Sequence, residues 1–150
     1  MIKYYTHSVV FEEIPNKVTL AFSITNCQNR CKGCHSAFLR RDIGEVLNES
    51  TLKEKFVKTL LNCNCVLFLG EGNDLDGLIR LSDYIKNEFG LETAIYSGRD
   101  NVEDVLFDHF DYVKIGSYKE ECGGLNKETT NQRLYYHRED ITNLFWKDGK

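Results

Sequence analysis

A chain of 150 residues, 41% hydrophobic and 28% charged with 11 Gly and one Pro, has the composition of a folded globular domain and room for one modest core. That size excludes most multidomain enzymes, and the composition excludes the fibrous and disordered classes. Nineteen Lys and Arg against 23 Asp and Glu leave a net charge of −4, a field that repels nucleic acid and anionic membranes unless a local patch overrides it.

The longest apolar run, Cys65–Leu69, is far short of the roughly 20 residues of a membrane-spanning helix. The start Met1-Ile-Lys-Tyr-Tyr-Thr-His7 lacks the basic, apolar and small-residue regions of a signal peptide, so the expected location is cytoplasmic. In a reducing compartment, the 6 Cys point to metal binding or chemistry rather than to a disulfide scaffold.

In chain order, residues 5–11 look extended without fixing a face, and Pro15-Asn16 marks a turn. Val18, Leu20 and Phe22 alternate, which predicts a strand over 17–23. Thr51-x-x-Glu54 has the form of a capping box, and Leu52, Phe56 and Leu60 follow at helical spacing over 51–62. The continuous run 65–69 suits a strand buried on both faces. Leu75, Leu78, Ile79, Ser82, Ile85 and Phe89 trace one helical stripe, and Gly90 stands where a helix stop belongs. Next come a strand at 93–96, a helix capped by Asn101 and carrying Val102, Leu106 and Phe110, and a buried strand at 112–115. Residues 116–133 read as loop, with a short strand at 134–136.

This alternation predicts an α/β fold in a single domain, 1–150: a partial (βα) barrel or an open, mostly parallel sheet with flanking helices. A full barrel needs roughly 250 residues. In either form the site belongs at the carboxyl ends of the strands, in segments 24–35, 70–74, 97–100 and 116–118.

The first of these segments reads Cys27-Gln-Asn-Arg-Cys31-Lys-Gly-Cys34-His35, three thiols within eight residues directly after a strand. Thiolates are the ligands that iron–sulfur clusters and zinc prefer. Three thiolates without an evident fourth leave a coordination position open, as a catalytic centre requires. Other readings of the same residues are a zinc knot closed by His35, Cys63, Cys65 or Cys122, a C-x-x-C-H haem attachment at Cys31–His35, and a redox dithiol. Cys65 reads as a small apolar core residue. Arg30, Lys32, Arg40 and Arg41 give this stretch a local positive charge, either a solvated face or a steering surface for an acidic partner.

The C-x3-C-x2-C spacing of Cys27, Cys31 and Cys34 resembles the radical S-adenosylmethionine (SAM) superfamily. The short length, the Cys31-Lys-Gly-Cys34-His35 ending, and the stretch Gly116-Ser-Tyr-Lys-Glu-Glu, Gly124-Leu-Asn and Thr130-Asn-Gln-Arg133 resemble more narrowly the activating enzymes of anaerobic ribonucleoside-triphosphate reductases. The resemblance implies a [4Fe-4S] cluster on Cys27, Cys31 and Cys34, with no catalytic residue beyond these ligands. It implies SAM bound beside Gly33, Cys34 and His35 and along Gly70, Glu71 and Gly72. The order Gly70-Glu71-Gly72 departs from the family's Gly-Gly-acidic segment, and Gly33 replaces an aromatic residue found in many superfamily members.

The implied activity is an oxidoreductase of the glycyl-radical-enzyme-activating kind. One electron cleaves SAM to methionine and a 5′-deoxyadenosyl radical, which takes hydrogen from a glycine of the partner reductase. The implied partners are that reductase, as protein substrate, and a low-potential donor such as flavodoxin or ferredoxin. Two other functions fit the sequence: a small radical SAM enzyme acting on a metabolite, and a zinc-stabilised binding module without catalysis.

Overall fold

The computed structural model describes residues 2–26, 41–117 and 119–146. The elements are β1 (Lys3–Val10), β2 (Thr19–Ile24), β3 (Glu45–Val46), α1 (Glu49–Lys55), α2 (Val57–Leu61), β4 (Cys65–Leu69), α3 (Leu75–Phe89), β5 (Glu92–Tyr96), α4 (Asp104–His109), β6 (Tyr112–Ile115), β7 (Arg133–Tyr136), β8 (Glu139–Asp140) and a 3₁₀ turn at Thr142–Phe145. One open sheet holds all eight strands in the order β3-β1-β2-β4-β5-β6-β7-β8. The central four, β2, β4, β5 and β6, are parallel; the strands outside them pair antiparallel. The α/β class and open, mostly parallel sheet agree with the sequence reading. No helix among the described residues is long and apolar enough to cross a membrane.

The parallel register lays side chains out in transverse rows. Phe22, Phe68, Ile95 and Val113 stand opposite one another on one face, where Phe68 packs edge-on against Phe110 at 6.1 Å. This face carries the helices. The next row, Ala21, Leu67, Ala94 and Tyr112, points to the other face, where Ile14, Ile141 and Phe145 supply cover and no α-helix packs among the described residues. Burial on both sides explains why β4 reads as a continuous apolar run.

Two helix starts differ from the sequence reading. Asn48, not Thr51, caps α1: its carboxamide oxygen accepts the Thr51 N–H at 2.9 Å, and Thr51 lies one turn inside. The segment also divides into α1 and α2 at Phe56, whose ring packs edge-on against Phe22 at 5.0 Å and against His7 at 4.9 Å. The helix expected from Asn101 begins later, at Asp104, with Glu103 in the capping position. In α3 the stripe and the stop hold, Gly90 ending the helix in the left-handed conformation, φ 67°, and the structure adds Asp74 as the cap at its start. The polar member of its stripe, Ser82, is satisfied by Thr93 Oγ1 at 2.7 Å and the His109 carbonyl at 2.9 Å.

Leu67 is fully buried on the helix-free face, whereas Leu61 is 74% exposed. Leu67→Ala is expected to cost about 2–5 kcal/mol and Leu61→Ala to stay within about 0.5 kcal/mol, measured as midpoint shifts in urea at constant slope.

Candidate functional site

The carboxyl ends of β2, β4, β5 and β6 converge on one edge of the sheet. β2 runs through Thr25, whose N–H donates to the Lys3 carbonyl at 3.0 Å, to Asn26, whose N–H donates to the Arg41 carbonyl at 3.1 Å. The Asn26 carboxamide also donates to Asp42, which pairs with Lys3 at 2.7 Å. The stretch 27–40 therefore departs and returns at one pinned point beside the end of β2. Cys27, Cys31, Gly33, Cys34 and His35, together with Arg30, Lys32 and Arg40, lie outside the described residues.

The loop after β4 leans directly on that point. Gly72 has φ +66°, and a Cβ there would meet Ile24 Cγ2 at 2.9 Å and the Thr25 carbonyl at 3.2 Å. Only glycine permits both the left-handed backbone and this approach. Gly70-Glu71-Gly72 is thus held against the last residues before Cys27.

Glu71 between these glycines is 8% exposed. Its carboxylate accepts the Ser97 hydroxyl and takes Arg99 bidentately, Nε to Oε2 at 2.9 Å and Nη2 to Oε1 at 2.5 Å. Arg99 Nη2 also reaches Glu103 at 2.6 Å. The Glu71 carboxylate beside it, then that of Glu103, push the Arg99 guanidinium upward and keep it charged, while Arg99 holds the Glu103 carboxyl below the ordinary range. Fork-to-fork geometry fixes orientation as well as charge, so the β4 and β5 loops move as one piece. Both oxygens of Glu71 are engaged by Ser97 and Arg99, and Gly70 and Gly72 on either side leave the backbone open to close approach.

At the end of β6, Gly116 has φ +100°, and a Cβ would meet Gln132 Cα at 3.0 Å. That approach brings Thr130-Asn-Gln-Arg133 onto the edge. The Gln132 amide donates to the Gly116 carbonyl at 3.2 Å and the Asn131 amide to the Ser117 carbonyl at 2.9 Å. The Asn131 Oδ1 atom is buried without a hydrogen-bond partner among the described residues. Lys114, 7% exposed, donates to the carbonyls of Ser97 at 3.1 Å and Gly116 at 2.9 Å, joining the β5 and β6 loops.

The other cysteines are dispersed. Cys65 is fully buried in the core of the helix-free face, and burial first, then the Glu92 charge, pushes its thiol up to about 12. Burial also raises the Cys63 thiol. Cys122, partly exposed, lies in the connection between β6 and β7.

At the opposite, amino edge, Glu92, Asp111 and His137 bring ligand-type atoms within 4.8 Å of one another. Two ammonium groups already occupy this cluster, Lys17 2.8 Å from Glu92 and Lys86 3.7 Å from Asp111, and His137 Nε2 lies 3.1 Å from Asp111. Two ammonium groups balance two carboxylates, and the Thr93 N–H and Tyr136 hydroxyl add bonds of 2.9 and 2.6 Å. Burial works to raise the Glu92 carboxyl, and Lys17 and Tyr136 outweigh it and hold it low. This cluster ties together the ends of β5, β6 and β7 by ion pairing.

A scan of family models, a search of curated proteins and a search of solved structures each gave no match to this chain. Of the residues singled out in the sequence, the structure brings Gly70, Glu71 and Gly72 to the edge expected of them. It also brings there Asn131, from the stretch 130–133, and Ser97 and Arg99, from the segment 97–100, and it adds Lys114 from within β6. The only hint of Ser97 and Arg99 in the sequence is their position immediately after a strand.

Arg99→Met and Glu71→Gln are each expected to cost about 1–3 kcal/mol, and the double variant less than their sum by about 0.5–3 kcal/mol; a double-mutant cycle in urea measures this. Native-state alkylation followed by peptide mass mapping should modify Cys122 and spare Cys65 until denaturant is added.

Proposed function

We propose that this chain is a radical SAM activase, generating a glycyl radical on an anaerobic ribonucleoside-triphosphate reductase. The observation that supports it best is the pinning of Asn26 to Arg41 beside Gly72: the stretch containing Cys27, Cys31 and Cys34 begins and ends at the carboxyl edge, against a glycine-opened loop. In this reading the open sheet is a partial barrel whose helix-free face turns toward the site.

The residues at this edge fit the implied groups in their chemistry. Three cysteines in eight residues provide a soft thiolate set. The Asn131 carbonyl oxygen, buried and unpartnered among the described residues, calls for a hydrogen-bond donor such as an ammonium or a ribose hydroxyl. When bound, a [4Fe-4S] cluster and SAM supply one-electron cleavage of the sulfonium bond and, from it, hydrogen abstraction at a glycine. The chain's own residues have the work of positioning. Arg99 and Ser97 hold the Glu71 loop, whose backbone would receive the methionyl end of SAM. Lys114 locks the β5 and β6 loops together, and Gln132 keeps Asn131 at the edge. A flavodoxin or ferredoxin delivers the electron.

Anaerobic reconstitution with iron and sulfide, reduction with dithionite and chromatography after adding SAM should yield 5′-deoxyadenosine. Cys→Ala at 27, 31 or 34 should abolish it, whereas Cys63→Ala and Cys122→Ala should retain it. Binding of zinc in place of iron and sulfide, or equal damage from losing Cys63 or Cys122, overturns the reading.

A further inference from the structure

Two side chains, Asn26 and Asp42, carry the bonds that close the base of the stretch 27–40. Asn26 stands in the left-handed region, φ +62°, a conformation that Asn tolerates better than most side chains because its short carboxamide bonds locally. Its backbone N–H donates to the Arg41 carbonyl at 3.1 Å, and its Nδ2 donates to Asp42 Oδ1 at 3.2 Å. The same Asp42 oxygen accepts the Lys3 ammonium at 2.7 Å. These bonds, that of Lys3 first and then that of Asn26, hold the Asp42 carboxyl below the ordinary range, so both donors reach a charged oxygen.

The clasp is registered on β1. The Thr25 N–H and hydroxyl both donate to the Lys3 carbonyl, at 3.0 and 3.4 Å. On the returning side the Ile43 N–H donates to the Arg41 carbonyl at 3.0 Å, so that one oxygen ties Asn26 to Ile43. Gly44, φ +97°, lies so close to β1 that a Cβ would collide with the Tyr4 carbonyl oxygen. Yet the Asp42 side chain itself is 67% exposed and lies outside the core. A metal bound by several side chains of one stretch must order that stretch, and the cost falls when its ends are already fixed. Ligands on a stretch with closed ends meet the metal at a higher effective concentration than ligands on a free chain.

We infer that Asn26 and Asp42 are positioning residues: the clasp they form with Lys3 raises the affinity of the stretch bearing Cys27, Cys31 and Cys34 for its metal. The inference rests on the reading above in taking these cysteines as ligands of one centre. It concerns metal uptake, so its test needs neither SAM nor reductase.

Co(II) is titrated anaerobically into the reduced, metal-free full chain, and binding is read from the thiolate-to-cobalt charge-transfer band, which Cys31→Ser should abolish. Asn26→Ala and Asp42→Ala are each expected to weaken Co(II) binding about three- to tenfold. The double variant should lose less than the product of the two losses, since both remove one bond. Asn26→Gly, which keeps the left-handed backbone without the carboxamide, should fall between the parent and Asn26→Ala. Asp42→Asn keeps an acceptor oxygen and should restore most of the affinity lost in Asp42→Ala. Urea midpoints of the metal-free variants should match the parent's, because an exposed ion pair adds little to global stability. Parent-like Co(II) affinity in both Ala variants, a loss that Asp42→Asn does not reverse, or a loss matched by a lowered urea midpoint overturns the inference. Absence of the band in the parent overturns it together with the ligand assignment. Weakened Co(II) binding in the variants beside a failed 5′-deoxyadenosine assay of the parent keeps the clasp and rejects the radical chemistry; 5′-deoxyadenosine formation with unchanged Co(II) affinity does the reverse.

Discussion

Four parallel strands buried on both faces impose the constraint from which the rest follows. In β4 the side chains of Val66, Leu67 and Phe68 are all fully buried, so the strand interior has no place for a group that must meet water, metal or substrate. Parallel strands also send all their carboxyl ends to one edge. Polar chemistry is thereby displaced to two lines, and the chain uses them differently. At the amino edge Lys17 and Lys86 neutralise Glu92 and Asp111. At the carboxyl edge the ion pairs are Glu71 and Glu103 with Arg99, and Asp42 with Lys3, and the Asn131 oxygen has no partner among the described residues.

Rigidity at that edge has a physical source in buried charge. A carboxylate as enclosed as Glu71 is costly unless its lone pairs are filled, and Arg99 with Ser97 fills them. The cost of separating such a pair couples the two loops beyond Gly70, where the β4–β5 ladder ends. Lys114 repeats the device one strand further along, with carbonyls in place of a carboxylate. A site built this way keeps its shape through side chains rooted on rigid strands, even though its residues belong to loops.

The sequence made legible what depends on periodicity. The apolar run of β4, the stripe of α3 and its Gly90 stop all recur in the structure, because burial and helix geometry write directly into residue spacing. Where two local solutions compete, spacing loses its authority. Both Asn48 and Thr51 can cap a helix, and Asn48 takes the place because its oxygen reaches the Thr51 N–H while Thr51 Oγ1 turns to the Val46 carbonyl at 3.1 Å. Phe56 satisfies the helical period yet divides the helix, since its partners Tyr4, His7 and Phe22 come from strands distant in the chain. The segment 97–100 was legible as an edge loop, but the pairing of Arg99 with Glu71 was not: a bidentate partner 28 residues away leaves no trace in local pattern.

The two faces of the sheet are covered unequally, and the inequality bears on what the protein can accept. Helices α1 to α4 close one side with a continuous apolar core. The other side is covered by turns, with Ile14 from one connection and Phe145 from the C-terminal segment reaching over Ala21, Leu67 and Ala94. A cavity of about 650 Å³ lies on that side, between the β1–β2 connection and the C-terminal segment, so the concave surface of the described residues stands on the face that turns cover and not on the one that the helices close.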